Sequence, residues 1–324
     1  MRKFLSFSLS ILLISMPILG GQTLAASKPA ITISPFLSEV KFSSSDATKD
    51  FDVNITNNST NTKDFTLSVL DFGSLNESGG VVFAGSNVNK LINKYGLAHW
   101  LQLSTNDVSI EPGKTATITA TIINNENLQP GGHYTAIVAA LTNPDPTRMN
   151  EISINQKLSS LILATKVGGE KYDLKLQQIE AKGSLFHLPK SVTLHFNNPG
   201  NVHVIPRGTV RIVSPSGKVV SRGVINEDSS YILPETSRQL SVDLTSIGFR
   251  SLWPTLYHVE INYRYEGVDQ FAHKSQRLYF VNVPGIIGLG FVLYTFVWVV
   301  LRNWHRIKLL YKSLLVKIRK VRLK

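Results

Sequence analysis

Apolar and polar positions alternate over short stretches through most of the chain. In 115–122, Thr115, Thr117, Thr119 and Thr121 occupy one face, and Ala116, Ile118, Ala120 and Ile122 the other. A period of two with β-branched residues predicts a half-buried strand. Phe51/Val53/Ile55, Phe65/Leu67/Val69, Val192/Leu194/Phe196, Leu240/Val242/Leu244 and Tyr257/Val259/Ile261/Tyr263 repeat the pattern. Clusters of Asn, Gly, Pro and Ser separate them at about 8–15 residues, the rhythm of an antiparallel sandwich. Helical periodicity is missing before residue 283. The predicted class is all-β: two tandem Ig-like antiparallel β-sandwiches, then one transmembrane α-helix.

Two stretches resemble each other. Pro112-Gly113, a strand, Leu128-Gln129-Pro130 and Tyr134 are matched by Pro234-Glu235, a strand, Leu252-Trp253-Pro254 and Tyr257. A Tyr just after such a corner is the tyrosine-corner device of Ig-like sandwiches, with the ring in the core and the hydroxyl on an upstream backbone group. Tyr134 and Tyr257 are therefore read as structural. Val53-Asn54-Ile55-Thr56-Asn57-Asn58 and Leu194-His195-Phe196-Asn197-Asn198 both run from a strand into an Asn-rich turn, where Asn bonds its own backbone. The expected domains are 27–168 and 169–280, divided at Gly168-Gly169.

Both ends differ from this pattern. Met1-Arg2-Lys3, the apolar stretch 4–19 and Thr23-Leu24-Ala25-Ala26-Ser27 read as a signal peptide over 1–26, with an uncleaved anchor as the alternative. Residues 278–301 carry no charge, and 281–301 is expected to span a membrane. The following 302–324 holds nine Lys and Arg and no acid, Arg302, Arg306 and Lys308 flanking the span. That bias predicts a cytoplasmic tail and extracellular sandwiches on a single-pass membrane protein. Helically spaced Ile307, Leu310, Leu314, Ile318 and Val321 suit a basic amphipathic helix, or a solvated anchor tail.

The charge count changes with this topology. The whole chain carries 34 Lys+Arg and 22 Asp+Glu. Removing the nine tail residues and two at the N-terminus leaves 34 − 11 = 23 basic residues against 22 acids. A neutral exported part argues against nucleic acid as a partner. The absence of Cys excludes disulfides, thiolate metal sites and cysteine nucleophiles.

Catalytic motifs are missing too. The chain has no His-Glu-x-x-His, Gly-x-Ser-x-Gly or P-loop. Asp71-Phe72-Gly73 stands without any other kinase feature, and Leu233-Pro234-Glu235-Thr236-Ser237 reads as a turn rather than a sorting signal. The eight His lack metal-ligand spacing. No enzyme activity, cofactor or metal is expected. The stretch 71–97 holds Gly79-Gly80 and no clear strand, and it leads to Tyr95, His99 and Trp100. Aromatics beside amides can stack on sugar rings, so these three form the candidate ligand site. The alternation of Trp100-Leu101-Gln102-Leu103 equally suits Trp100 as a core residue.

Taken together, a signal peptide, a first Ig-like domain with a Pro-Gly-led strand and a late Gly-Gly-x-Tyr strand, a second Ig-like domain, a span and a basic tail resemble the WxL-interacting surface proteins of Gram-positive bacteria. The resemblance implies a peptidoglycan-binding first domain and a partner-binding second one. A broader resemblance to the pilus-chaperone sandwich also exists. The expected function is a non-catalytic surface protein that binds peptidoglycan or a surface protein. The alternatives are an anchored chaperone that assembles extracellular subunits by strand addition, and an accessory subunit to an enzyme.

Overall fold

A computed structural model describes residues 29–84, 94–142, 157–181, 188–247, 255–280, 283–304 and 308. The signal segment 1–26 and most of the tail, Arg306 included, lie outside them.

The described chain before residue 283 is almost entirely strand, as the alternation predicts. Ten strands build a first pair of sheets: β1 (Ile31–Ser34), β2 (Leu37–Phe42), β3 (Thr48–Asn57), β4 (Lys63–Ser74), β5 (Val81–Phe83), β6 (Leu101–Leu103), β7 (Asp107–Ile110), β8 (Thr115–Ile123), β9 (Gly131–Leu141) and β10 (Lys157–Lys166). One sheet has the order β1-β3-β8-β6, and the other β2-β10-β9-β4-β5, with β7 also on β4. A second pair follows: β11 (Lys175–Ala181), β12 (Ser191–Asn198) and β15 (Thr236–Asp243) against β13 (Arg207–Val213), β14 (Val219–Ile225), β16 (Thr245–Ser246), β17 (Thr255–Arg264) and β18 (Ala272–Phe280). These form a three-stranded sheet β11-β12-β15 and a five-stranded sheet β16-β14-β13-β17-β18.

The alternation sets the facing. On β8, Ile118, Ala120 and Ile122 are buried against Val53 and Ile55 of β3. The Thr face instead makes a polar ladder: Thr117 donates to Asn54 at 2.7 Å and Thr119 to Asp52 at 2.8 Å. Val192, Leu194 and Phe196 of β12 meet Val210, Ile212, Val259 and Ile261 in the second core. The two Asn-rich turns serve alike. Buried Asn57 donates to the Ile110 and Asn61 carbonyls, and buried Asn198 to those of Val202 and Ile232. Each carboxamide supplies the partners that turn backbone needs inside a core.

The described parts of the stretch 71–97, residues 71–84 and 94–97, hold more regular structure than their composition suggests. Asp71-Phe72-Gly73 extends β4, and β5 folds back onto it as a hairpin. Asp71 Oδ1 accepts the N–H groups of Leu97 and Ala98, at 2.7 and 2.6 Å, fixing the short 3-10 turn Ala98–Trp100.

The membrane span expected over 281–301 is corrected. A helix, α1 (Val283–Arg302), forms there, but no helix among the described residues is long and apolar enough to cross a membrane. Arg302 lies over the Trp298 ring at 4.9 Å and Lys308 over Trp304 at 5.4 Å, so the basic flank stacks on aromatic faces. The single-pass topology inferred from the charge bias falls with the span.

Candidate functional site

The strands β9 and β10 depart from alternation. Their sequences Tyr134-Thr135-Ala136-Ile137-Val138-Ala139 and Leu161-Ile162-Leu163-Ala164 are apolar or small on both faces. Such runs mark strands covered on both sides. Ile137, Ala139, Ile162 and Ala164 point into the first core. Tyr134, Ala136, Val138 and Leu163 point the other way, joining Phe72, Leu37 and Leu161 in a second apolar layer. Tyr231 and Leu233, from the second pair of sheets, pack onto it.

That packing is incomplete. A cleft of about 490 Å³ remains between the outer face of β2, β10 and β4 and the segment 228–236 with Arg238. Phe36 is 67% exposed at its rim and Val81 40% exposed. Arg238 is half-buried in the wall. One guanidinium nitrogen donates to the Tyr231 carbonyl at 2.7 Å, while Nε has no hydrogen-bond partner. Loss of hydration holds its pKa below the ordinary value.

Three polar latches set the width of the cleft. His203 is the central one. Its backbone N–H donates to the Tyr134 hydroxyl at 2.9 Å, and Nδ1 lies 3.2 Å from the same oxygen. A single hydroxyl can accept the first and donate to the second when the ring carries its proton on Nε2. Nε2 then faces Glu39, 3.8 Å away. The imidazole stands edge-on between the Tyr134 and Tyr231 rings, at 5.6 and 5.5 Å. The second latch is Glu235, which pairs with Lys94 and accepts the Tyr95 hydroxyl at 2.9 Å. The Lys94 ammonium, by hydrogen bonding, holds the Glu235 carboxyl below its ordinary pKa. Third, the β4–β5 hairpin reaches across: the Gln239 N–H donates to the Glu77 carbonyl at 2.7 Å, and the Glu77 side chain meets His195 at 3.1 Å. Gly79, at φ +89°, lies against the Arg238 guanidinium, and a side chain there would collide with it.

The sequence-derived residues are split by this geometry. Tyr95 lines a small separate hollow with Tyr134 and Leu233, 8% exposed, with its ring 6.3 Å from Tyr134. His99 and Trp100 stack edge to face at 5.4 Å, and Trp100 packs on the first core, across the sheet from the cleft. The three do not converge. Tyr134 and Tyr257 are both buried. Burial keeps the Tyr134 proton on far above the ordinary phenol range, but the hydroxyl meets His203 of the second pair of sheets rather than an upstream backbone group. Among the described residues no group of three or more His, Asp or Glu could hold a metal. Glu39, Leu161, Leu163, His203, Tyr231 and Arg238 escaped the sequence reading. For Leu161 and Leu163 the signal was the lapse of alternation in β10; the others carry none.

No family model matches the chain, and no curated protein matches it. Solved structures do show likeness. The chaperone–tip adhesin complex of CFA/I fimbriae biogenesis matches at 15% identity with a TM-score of 0.41, over 78% of this chain and 98% of that one. The CupB2 chaperone of Pseudomonas aeruginosa matches at 10% identity and a TM-score of 0.35, over 75% and 97%. The Salmonella enterica SafA pilin–SafB chaperone complex matches at 8% and 0.37, over 79% and 98%. These findings correct the resemblance to WxL-interacting proteins, which rested on a span and on sandwich signals common to many Ig-like chains. Peptidoglycan binding, the surface-adhesion role and placement in a bacterial cell membrane are corrected with it. Of the aromatics expected to stack on sugars, Tyr95 is buried with its hydroxyl engaged, Trp100 is half-buried against the first core, and His99 is exposed.

Proposed function

We propose that this protein is a non-catalytic assembly chaperone with two Ig-like domains meeting near Gly168-Gly169. It holds an extended segment of another protein by strand addition. The observation that carries this reading is the second apolar face of the six-stranded sheet, which continues past the contact with Tyr231 and Leu233 into an open cleft. Beside the cleft, β2 pairs with β10 only from Leu161 onward. Among the described residues no strand covers the outer edge of 157–160. An added strand would take its main-chain hydrogen bonds from that edge and lay alternate side chains in the cleft.

The test uses an Ig-like sandwich protein with one strand deleted, which aggregates when refolded alone. The full chain is expected to keep it in solution as a one-to-one complex and to slow amide exchange in β10. Phe36→Asp and Val81→Asp change exposed rim positions and should abolish both effects without loss of fold. Capture that persists in both variants, or that leaves β10 exchange unchanged, refutes the reading.

A further inference from the structure

The five-stranded sheet of the second pair carries a different surface. Its inward positions on β17, Tyr257, Val259, Ile261 and Tyr263, are buried in the core. The outward positions fall into cross-strand rows. Arg207 on β13 stands directly opposite Arg264 on β17. Arg211 stands opposite both Arg222 on β14 and Glu260 on β17. His258 stands opposite Arg277 on β18. Directly opposed side chains lie about 5 Å apart, where like charges repel. Glu260 is the one acid among the described outward positions of these four strands, and it is committed to Arg211 at 3.1 Å. Both acids of the adjoining β17–β18 turn, Glu266 and Asp269, line a hollow shared with Arg207 and Arg264, and Glu266 spends one oxygen on the Ile205 N–H at 2.6 Å. Arg207 and Arg264 have no ion pair among the described residues. They wall two adjoining hollows of about 290 Å³ each, and Arg264 lies 5.3 Å above the exposed ring of Phe271.

The edge of this sheet is open as well. β18 pairs with β17 on one side and with no described strand on the other. His273, Lys274 and Arg277 are all exposed along it. Lys274 stands opposite Ile261 and so points to the inward side, a position that repels an apolar strand. An incoming strand therefore meets a cation on each of its faces, Lys274 on one and Arg277, beside His273, on the other.

We propose that β18 and the arginine rows behind it bind an acidic, extended polypeptide segment by strand addition, its carboxylates alternating across Lys274 and Arg277. This site shares no residue with the cleft and does not depend on the chaperone reading. Charge complementarity selects the ligand, and the unpaired backbone of β18 selects its extended form.

The experiment presents the full chain with a labelled twelve-residue peptide of repeating Glu-Glu-Val-Val, which sets carboxylates on both faces of a strand, a matched Lys/Val peptide and inorganic polyphosphate. The Glu/Val peptide is expected to bind, to weaken as salt rises, and to slow amide exchange within 273–277. The Lys/Val peptide is expected not to bind. The Arg264→Gln/Arg277→Gln double variant, exposed at both sites, should lose at least tenfold in affinity; Lys274→Glu should lose as much if the double variant fails to fold. Three outcomes overturn the proposal: no binding of the acidic peptide, binding that protects β10 rather than β18, or polyphosphate binding with equal affinity and no β18 protection.

Discussion

Replacing Tyr134 by Phe removes one oxygen and keeps the ring. The ring contacts with Phe72 at 6.0 Å and Tyr95 at 6.3 Å are retained. What is lost is the acceptor for the His203 N–H at 2.9 Å and the donor to Nδ1 at 3.2 Å. Tyr134 is 1% exposed and His203 8%, so water cannot readily replace either bond. A buried polar group left unpaired costs about 1–3 kcal/mol. Two such groups on one residue set the expected loss at about 3 kcal/mol, roughly a hundredfold in the unfolding constant. Urea unfolding of the full chain measures it. A His203→Ala partner closes a double-mutant cycle, since that change leaves the backbone N–H to hydroxyl bond intact. A loss below about 0.5 kcal/mol, the size of an ordinary surface change, would refute the claim that this hydroxyl ties the two pairs of sheets together.

Three further outcomes follow from the same geometry. Burial, with Lys166 adding to it, holds the His133 imidazole below its ordinary pKa, so the unfolded chain binds a proton that the folded chain does not. Stability is then expected to be full near pH 7 and to fall as pH drops below about 6.5; His133→Gln should flatten that slope, read as the urea midpoint against pH. The Glu39 and Glu235 carboxyls are held low, Glu39 mainly by its bond to His203, and their contribution is expected to disappear only in the separate window below about pH 4.5. Gly208→Ala places a methyl group against the Asn262 carbonyl on the neighbouring strand and should cost about 1–3 kcal/mol by overpacking, measured by thermal melting.

Strand positions were legible because alternation is a local signal. Thr117 and Ile118 announce opposite faces without reference to anything distant. The cleft was not legible, because it is assembled from side chains that meet only after both sandwiches exist. Nothing near Tyr134 in sequence names His203, and nothing near Lys94 names Glu235. The one local trace was negative: β9 and β10 stop alternating where a second apolar layer begins. Trp100 shows the converse error. Its aromatic neighbours suggested an exposed platform, while the ring leaves the 3-10 turn before β6 and packs half-buried on the first core. The arginines of the second pair of sheets were hidden by the near-neutral total, since a count over 27–280 averages away one strongly basic sheet.

The pairing of β2 with β10 bears on how the chain folds during synthesis. Leu37 pairs with Leu161, about 120 residues later. The early strand β2 must therefore wait for the last strand of its own sheet pair. Until β10 emerges, β9 exposes an edge as well as two apolar faces. Contacts between such distant segments slow closure, and the waiting state carries the sticky surface that a folded strand hides. A nascent chain stalled near residue 150 should accordingly be protease-sensitive throughout its first sheets, and one stalled well beyond 200 should be resistant.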